Sequence, residues 1–281
     1  MKRAFVVGYP ISHSRSPLIH TFWLREAGIT GSYERLAVEP AAFPDFANTL
    51  KEQGFVGGNV TVPHKEEAFR LASVDDQVAR DLHAVNTLWL EGDRLRGANT
   101  DVVGFLANLD QEALGWDGRL GRAVVLGAGG ASRAVLYGLL LRGAGEILLA
   151  NRTFERARAL AAHFGPKVKP VAWEEADTAL AGADILVNTT SLGMKGQPSL
   201  ELDLGGLPET ALVTDIVYVP LETPLLAKAR ALGLRTVDGL GMLLHQAVPG
   251  FERWFGVRPL VSQQLRALVL ADIEGRSQGA P

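Results

Sequence analysis

The sequence contains no cysteine. Disulfides, thiolate metal sites and thiol nucleophiles are therefore excluded. It also lacks any run of about 18 uninterrupted apolar residues, the length a helix needs to cross a bilayer. Its opening, Met1-Lys2-Arg3-Ala4-Phe5-Val6-Val7-Gly8, has no long apolar segment of the kind that directs secretion. A cytoplasmic location is the expectation. Net charge is small, −3 at pH 7 over 281 residues, so no overall field recruits nucleic acid or an anionic membrane. An anionic ligand must be held by local groups. The histidines are scattered without zinc-ligand spacing, and no metal is expected.

What is present is an ordinary globular balance, 47% apolar and 21% charged. The length fits one large domain or two of usual size. Residues 4–8 read as a short apolar strand. Ser16-Pro17 reads as a helix start, with Ser16 as N-cap and Pro17 first in the helix. Leu18, Ile19, Phe22 and Trp23 follow at helical spacing, and Gly28 closes that helix. Residues 33–38 and 55–62 read as strands, 43–50 as a helix, and Pro63-His64-Lys65-Glu66 as the start of another. Residues 86–89 and 94–98 are two strands around a Gly92-Asp93 turn.

A second series begins near Asp101, with a helix over 101–114 that bridges two domains. Strands are expected at 122–126, 147–150, 168–171, 184–188, 212–217 and 235–237, with helices between most of them. This βαβ rhythm implies a parallel sheet covered by helices on both faces. Residues 239–255 and 261–273 read as helices, and 275–281 as disordered.

Gly127-Ala128-Gly129-Gly130-Ala131 follows a strand and opens a helix. In that context the glycines have physical work. Gly127 allows the tight turn, and Gly129 lets backbone approach a pyrophosphate at the helix N-terminus. An NAD site usually carries an acidic residue at the end of the next strand, accepting from the ribose 2′-OH. Here that place holds Asn151-Arg152-Thr153. Arg152 can grip a 2′-phosphate through charge-assisted bonds and Thr153 can add a hydroxyl, so NADP(H) is expected over NAD(H).

In the first 101 residues Ser14, Ser16, Asn59, Thr61, Asn86 and Asp101 each have a plain reading as a cap or a strand-end polar group. Lys65 does not, because a cation is disfavoured at the positive end of a helix dipole. The set is more telling. Ser14-Arg15-Ser16-Pro17, Asn59-Val60-Thr61-Val62-Pro63-His64-Lys65, Ala84-Val85-Asn86-Thr87 and Gly97-Ala98-Asn99-Thr100-Asp101 resemble the shikimate dehydrogenase family in order and spacing. So do the glycine loop, Asn151-Arg152-Thr153, Asn188-Thr189-Thr190-Ser191-Leu192-Gly193-Met194, Asp215-Ile216-Val217-Tyr218-x-Pro220 and Asp238-Gly239-Leu240-Gly241-Met242-Leu243-x-x-Gln246. The resemblance runs from about Phe5 to Gln246.

The resemblance implies an α/β protein in which residues 1–101 form a substrate domain with a mostly parallel sheet. Residues 102–238 would form a Rossmann-type NADP domain, and 239–281 would return to the first. It implies reduction of 3-dehydroshikimate to shikimate in aromatic amino-acid biosynthesis. Ser14, Ser16 and Tyr218 would bind the substrate carboxylate, and Asn59, Thr61, Asn86 and Gln246 the ring hydroxyls. Lys65 and Asp101 would be the catalytic pair. The cofactor would meet Gly127, Ala128, Gly129, Gly130, Ala131, Asn151, Arg152, Thr153, Thr189, Ile216 and Gly239. His64 and His245 are read as structural.

Three other readings stand beside this one. A quinate/shikimate dehydrogenase using NAD(H) or both cofactors is opposed by Arg152, Thr153 and the two serines. A non-catalytic ligand sensor is opposed by an intact Lys65 and Asp101. A methylene-tetrahydrofolate dehydrogenase is opposed by the Ser-x-Ser and Gly-x-Asn-Thr-Asp segments. Leu265, Leu268, Val269 and Ile273 form an apolar face for the core or for a second copy in a homodimer.

Overall fold

Short apolar runs bounded by glycine build two separate sheets. In the computed structural model, which describes residues 1–275, the chain divides into two compact units. The first joins Met1–Asp101 to Leu244–Val269, and the second runs Val102–Leu243 with the chain from Leu270 onward. Of the terminal segment expected to be disordered, residues 276–281 lie outside the described residues.

The first series comprises β1 (Lys2–Gly8), α1 (Ser16–Glu26), β2 (Gly31–Ala37), α2 (Phe43–Asn48), β3 (Phe55–Val60), α3 (Lys65–Leu71), α4 (Gln77–Leu82), β4 (Thr87–Glu91) and β5 (Arg94–Ala98). Its five-stranded sheet has the order β2-β1-β3-β4-β5. β1 pairs in parallel with β2 and β3, while β4 is antiparallel to both β3 and β5. The parallel part is thus three strands, and a hairpin around Gly92 extends it. Phe5 and Val7 share one face of β1 and pack with Phe43, Ala47, Ala68 and Ala79 from the three helices α2, α3 and α4. At Gly57 a Cβ would stand 2.2 Å from the Leu88 carbonyl oxygen and 2.5 Å from Trp254 Nε1, so only glycine fits there.

Two local readings change. Ser16 is the first helical residue of α1 and Arg15 is the N-cap, with no side-chain cap bond. The shift occurs because Ser14 Oγ already accepts from Ser16 N at 3.3 Å, one step earlier. Helix α4 was not foreseen from the sequence. It is six residues long, and Asp76 caps it by accepting from Ala79 N at 3.0 Å. Six residues are too few for apolar periodicity to register.

The second series comprises α5 (Asp101–Glu112), β6 (Arg122–Leu126), α6 (Gly130–Leu141), β7 (Glu146–Asn151), α7 (Phe154–Phe164), β8 (Val168–Ala172), α8 (Ala176–Ala179), β9 (Ile185–Asn188), β10 (Leu212–Asp215), α9 (Pro224–Ala231) and β11 (Arg235–Val237). Its six strands run in the order β11-β10-β9-β6-β7-β8, all pairs parallel. The strand order reverses direction between β6 and β9, the crevice where open α/β sheets bind ligands. Val124 and Leu126 of β6 pack with Leu180, Val213, Leu225 and Leu226 in one buried layer.

Helices α10 (Leu240–Phe255) and α11 (Gln263–Ile273) complete the chain. The return to the first unit was expected over 239–281, but it spans Leu244–Val269. The start of α10 is instead held by α5. Asn108 Nδ2 donates to the Asp238 carbonyl at 2.7 Å, and a Cβ at Gly241 would meet Asn108 Oδ1 at 1.8 Å. Leu265 and Val269 are fully buried, whereas Leu268 is half-exposed. Among the described residues, no helix is long and apolar enough to cross a membrane.

Candidate active site

Lys65 is the first residue of α3, and His64 before it supplies no side-chain cap. An ammonium at a helix N-terminus is unfavourable by roughly 0.3–1 kcal/mol. Asp101 offsets this: Lys65 Nζ donates to Asp101 Oδ2 at 2.6 Å. Asp101 opens α5, where a carboxylate suits the dipole, and its N–H donates to Asn99 Oδ1 at 3.0 Å. Both groups keep some exposure, 28% for the lysine side chain and 14% for the aspartate, so a ligand can reach them.

Asn86 sits behind the pair and is almost fully buried. Its Nδ2 donates to Asp101 Oδ1 at 2.8 Å and, more weakly, to Gln246 Oε1 at 3.4 Å. Its Oδ1 accepts from Thr100 N at 2.8 Å and from Thr87 Oγ1 at 3.0 Å. The bonds given fill the capacity of this amide, so its clearest duty is to fix Asp101. Gln246 reaches the group on α10, whose backbone carbonyl at that residue accepts from Thr100 Oγ1 at 2.7 Å. Lys65, Asn86, Asp101 and Gln246 therefore form one connected set within the first unit.

Asn59 ends β3 beside that set and is also buried. Its Nδ2 donates to the Asn86 carbonyl at 3.2 Å and to Thr87 Oγ1 at 3.3 Å. The Tyr33 hydroxyl donates to its Oδ1 at 2.6 Å. Thr61 follows, half-buried, and its hydroxyl has no partner among the described residues. Ser14 and Ser16 lie at the entry to α1 on the same unit, and Arg35 Nε donates to the Ser14 carbonyl at 2.8 Å. His64 is structural: its ring stacks on Phe43 at 4.4 Å and its Nε2 lies 2.8 Å from the Val38 carbonyl. Burial lowers the pKa of that imidazole.

In the second unit, Gly127 adopts φ +101°, and a Cβ there would stand 2.8 Å from Thr189 Oγ1. Gly129 is the N-cap of α6 with no side-chain cap bond, and a Cβ on Gly129 or Gly130 would meet nothing within 4 Å. An uncapped twelve-residue helix with open space at its first N–H groups fits a pyrophosphate. Ala128 N donates to Asn151 Oδ1 at 3.0 Å, so Asn151 braces the loop. Arg152 and Thr153 are exposed, and Arg152 has no ion-pair partner among the described residues. Arg158 by contrast is paired with Glu155 at 2.6 Å. The donor set therefore fits a dinucleotide with a 2′-phosphate.

Thr189 Oγ1 donates to the Leu126 carbonyl at 2.7 Å, so its hydroxyl buttresses the glycine loop from behind. Ile216 and Tyr218 lie on the segment after β10, half-buried. That segment is pinned by Asp215, which is completely buried. Val217 N, Asn188 Nδ2 and Thr223 Oγ1 donate to its carboxylate at 2.9, 3.0 and 2.8 Å. Desolvation pushes the Asp215 carboxyl up, and the three donors pull against it. Gly239 packs on the same strand end, where a Cβ would lie 2.3 Å from the Ile216 carbonyl oxygen.

Three family models match in succession. They describe a shikimate dehydrogenase substrate binding domain over residues 6–88, shikimate / quinate 5-dehydrogenase over 111–194, and a shikimate 5′-dehydrogenase C-terminal domain over 239–268. The shikimate dehydrogenase (NADP(+)) of Azorhizobium caulinodans is 60% identical over 278 residues, covering 99% of each chain. The chain belongs to the shikimate dehydrogenase family.

Solved relatives agree in architecture. The Thermus thermophilus shikimate 5-dehydrogenase in complex with NADP(H) and shikimate superposes with TM-score 0.84 at 38% identity, over 95% of this chain and 98% of that one. A quinate dehydrogenase from Corynebacterium glutamicum in complex with NAD superposes with TM-score 0.88 at 31% identity, over 95% and 98%. The shikimate dehydrogenase fold here thus comprises one mixed sheet and one Rossmann-type parallel sheet. Tyr33, Thr87, Thr100 and Asp215 hold the site residues from behind. The last three stand inside motif segments with no role read for them there, and Tyr33 lies outside every motif.

Proposed function

We propose that the protein interconverts 3-dehydroshikimate and shikimate with NADP(H), as a cytoplasmic biosynthetic oxidoreductase acting on a CH–OH group. The observation that carries this reading is the Lys65–Asp101–Asn86 chain, at 2.6 and 2.8 Å, in a family member 60% identical to a shikimate dehydrogenase (NADP(+)). The substrate carboxylate is received by the hydroxyls of Ser14 and Ser16. Thr61 and Gln246 bond ring hydroxyls, and Asn59 offers the free lone pair of Oδ1 to another. Bound NADPH supplies the hydride to the carbonyl carbon. Lys65 Nζ protonates the carbonyl oxygen as negative charge develops there, and takes the proton back in the reverse direction. Asp101 Oδ2 fixes the ammonium, and Asn86 fixes the carboxylate through Oδ1. On the second unit, Gly127 to Ala131 hold the pyrophosphate, braced by Asn151 and Thr189, and Arg152 and Thr153 hold the 2′-phosphate. Ile216 and Gly239 shape the nicotinamide side of that unit.

The test is absorbance at 340 nm with shikimate or quinate, each with NADP⁺ or NAD⁺. Reduction confined to shikimate with NADP⁺ is expected. Comparable rates with quinate or NAD⁺ would move the chain to the broader quinate/shikimate activity of the family. No reduction with any pair, shikimate binding intact, would make it a ligand sensor.

A further inference from the structure

Tyr33 belongs to none of the motifs that mark the site. It lies on β2, its side chain pointing into the first unit, and it is 6% exposed. Its phenol ends at Asn59, with a 2.6 Å bond to Oδ1. Its ring stacks on His20 at 3.9 Å with 13° between the planes. His20 follows Ser16 by one turn of α1 and is itself fully buried, enclosed by Trp23, Phe251 and Trp254. Neither ring nitrogen of His20 has a hydrogen-bond partner. The phenol is therefore held by an apolar, uncharged cage and has little freedom to turn away from Asn59.

The orientation of a side-chain amide decides what it offers a ligand. Asn59 has two donors and two acceptor lone pairs. Both donors are taken, by the Asn86 carbonyl and by Thr87 Oγ1. One lone pair takes the Tyr33 hydroxyl. What remains is a single acceptor, suited to a ligand hydroxyl. Were the amide turned over, its nitrogen would face the Tyr33 oxygen and its donors would face the ligand instead. The Asn86 carbonyl can only accept, so it already keeps the amide nitrogen on its side, and the Tyr33 hydroxyl fills one lone pair of the amide oxygen and steadies it there.

We infer that Tyr33 is a positioning residue for substrate specificity, its hydroxyl steadying the Asn59 amide oxygen so that the remaining lone pair meets a ring hydroxyl of the substrate. This rests on the proposed shikimate reading and deepens it. Burial supports it, pushing the Tyr33 phenol well above the usual tyrosine range, with Asn59 and Ser16 opposing.

The experiment uses Tyr33→Phe in the full-length enzyme. The substitution keeps the ring and its stack on His20, and melting temperature and circular dichroism confirm the fold. The KM for shikimate is expected to rise about three- to tenfold, the range of one hydrogen bond, with kcat within about twofold and the KM for NADP⁺ unchanged. The same substitution made on top of Asn59→Ala is expected to add nothing to the shikimate KM, because Tyr33 acts through Asn59. Additive increments, or an unchanged KM in the single variant, overturn the inference. Wild-type enzyme gives a reading that needs no variant: 4-deoxy- and 5-deoxyshikimate are compared with shikimate. Equal KM for all three means that no acceptor is set for a ring hydroxyl, which also overturns it. Loss of all shikimate turnover in the wild type would instead strike the proposed function itself.

Discussion

Asn86 and Asp101 are joined by a 2.8 Å bond from amide to carboxylate, and the second oxygen of that carboxylate holds Lys65. A buried amide thus sets the position of a partly exposed ammonium through one intervening acid. A hydrogen bond to a charged group contributes about 1.5–3 kcal/mol, or roughly ten- to hundredfold in an equilibrium. Asn86→Asp keeps an acceptor for Thr100 N but places a carboxylate against Asp101. Its kcat should fall by at least about tenfold with the KM for NADP⁺ unchanged. A kcat near wild type would show that the bond does not hold the pair.

Lys65→Ala removes the proposed proton donor. Positioned acid–base groups supply about 10²–10⁴ in rate. Steady-state kinetics should show kcat lower by that factor and a shikimate KM altered far less. An unaffected kcat takes Lys65 out of the mechanism.

Arg152 stands exposed at the end of β7 with no acidic partner among the described residues, which leaves its fork for a phosphate. Arg152→Asp should weaken NADP⁺ by about ten- to hundredfold and bring NAD⁺ level with it or ahead. The ratio of the two kcat/KM values measures this. A ratio equal to that of the wild type contradicts the assignment of the 2′-phosphate site.

Gly127 has two reasons to be glycine, a φ of +101° and a Cβ path that ends 2.8 Å from Thr189 Oγ1. Gly127→Ala should cost about 1–3 kcal/mol of stability from the backbone alone. The KM for NADP⁺ should rise as the loop moves off the N-terminus of α6, while shikimate affinity, carried by the other unit, is kept. Thermal melting and both KM values decide it.

Acid should destabilise the fold through His20. Burial lowers its imidazole pKa from 6.5 to about 3, and its ring neighbours Trp23, Tyr33, Phe251 and Trp254 carry no charge. Between those two values the unfolded chain binds a proton that the folded chain refuses. Stability is therefore complete above about pH 6.5 and falls by about 1.4 kcal/mol per pH unit as pH drops toward 3. His64, also lowered by burial, adds in the same direction. Chemical denaturation at pH 7, 6 and 5 should show a steeper loss in the wild type than in His20→Phe. Parallel slopes would place the acid sensitivity elsewhere.

The βαβ rhythm was legible because parallel strands buried on both faces read as plain apolar runs, and β6 and β11 fall at their expected residues. The proposed functional positions stand out in the sequence where chemistry conflicts with local structure, as with Lys65 at a helix start and Arg152 where an acid would serve NAD. What stayed hidden was of two kinds. Helix α4 is too short to show a period, and its cap at Asp76 also accepts from Asn99 N at 2.9 Å, 23 residues away. Tyr33 acts through Asn59, 26 residues away, and a tyrosine on a strand gives no sign of which amide it will meet. Asn86 was legible as a site residue, yet its orientation toward Asp101 became visible only with the fold.

The first unit is not a contiguous stretch of chain. Trp254 Nε1 donates to the Leu88 carbonyl at 2.8 Å and fills the space left by Gly57, and Gln246 completes the set around Asn86. A ribosome making this protein N-terminal end first releases residues 1–101 long before these closing pieces exist. Most of the second unit, Val102–Leu243, is synthesised in the meantime and is free to fold as it emerges. The sheet that carries Lys65 and Asp101 thus waits, with its Trp254 socket open, until the chain has grown past it. The residues made first are thus the last to be enclosed, and the set around Asn86 is complete only once the chain has been made past Gln246 and Trp254.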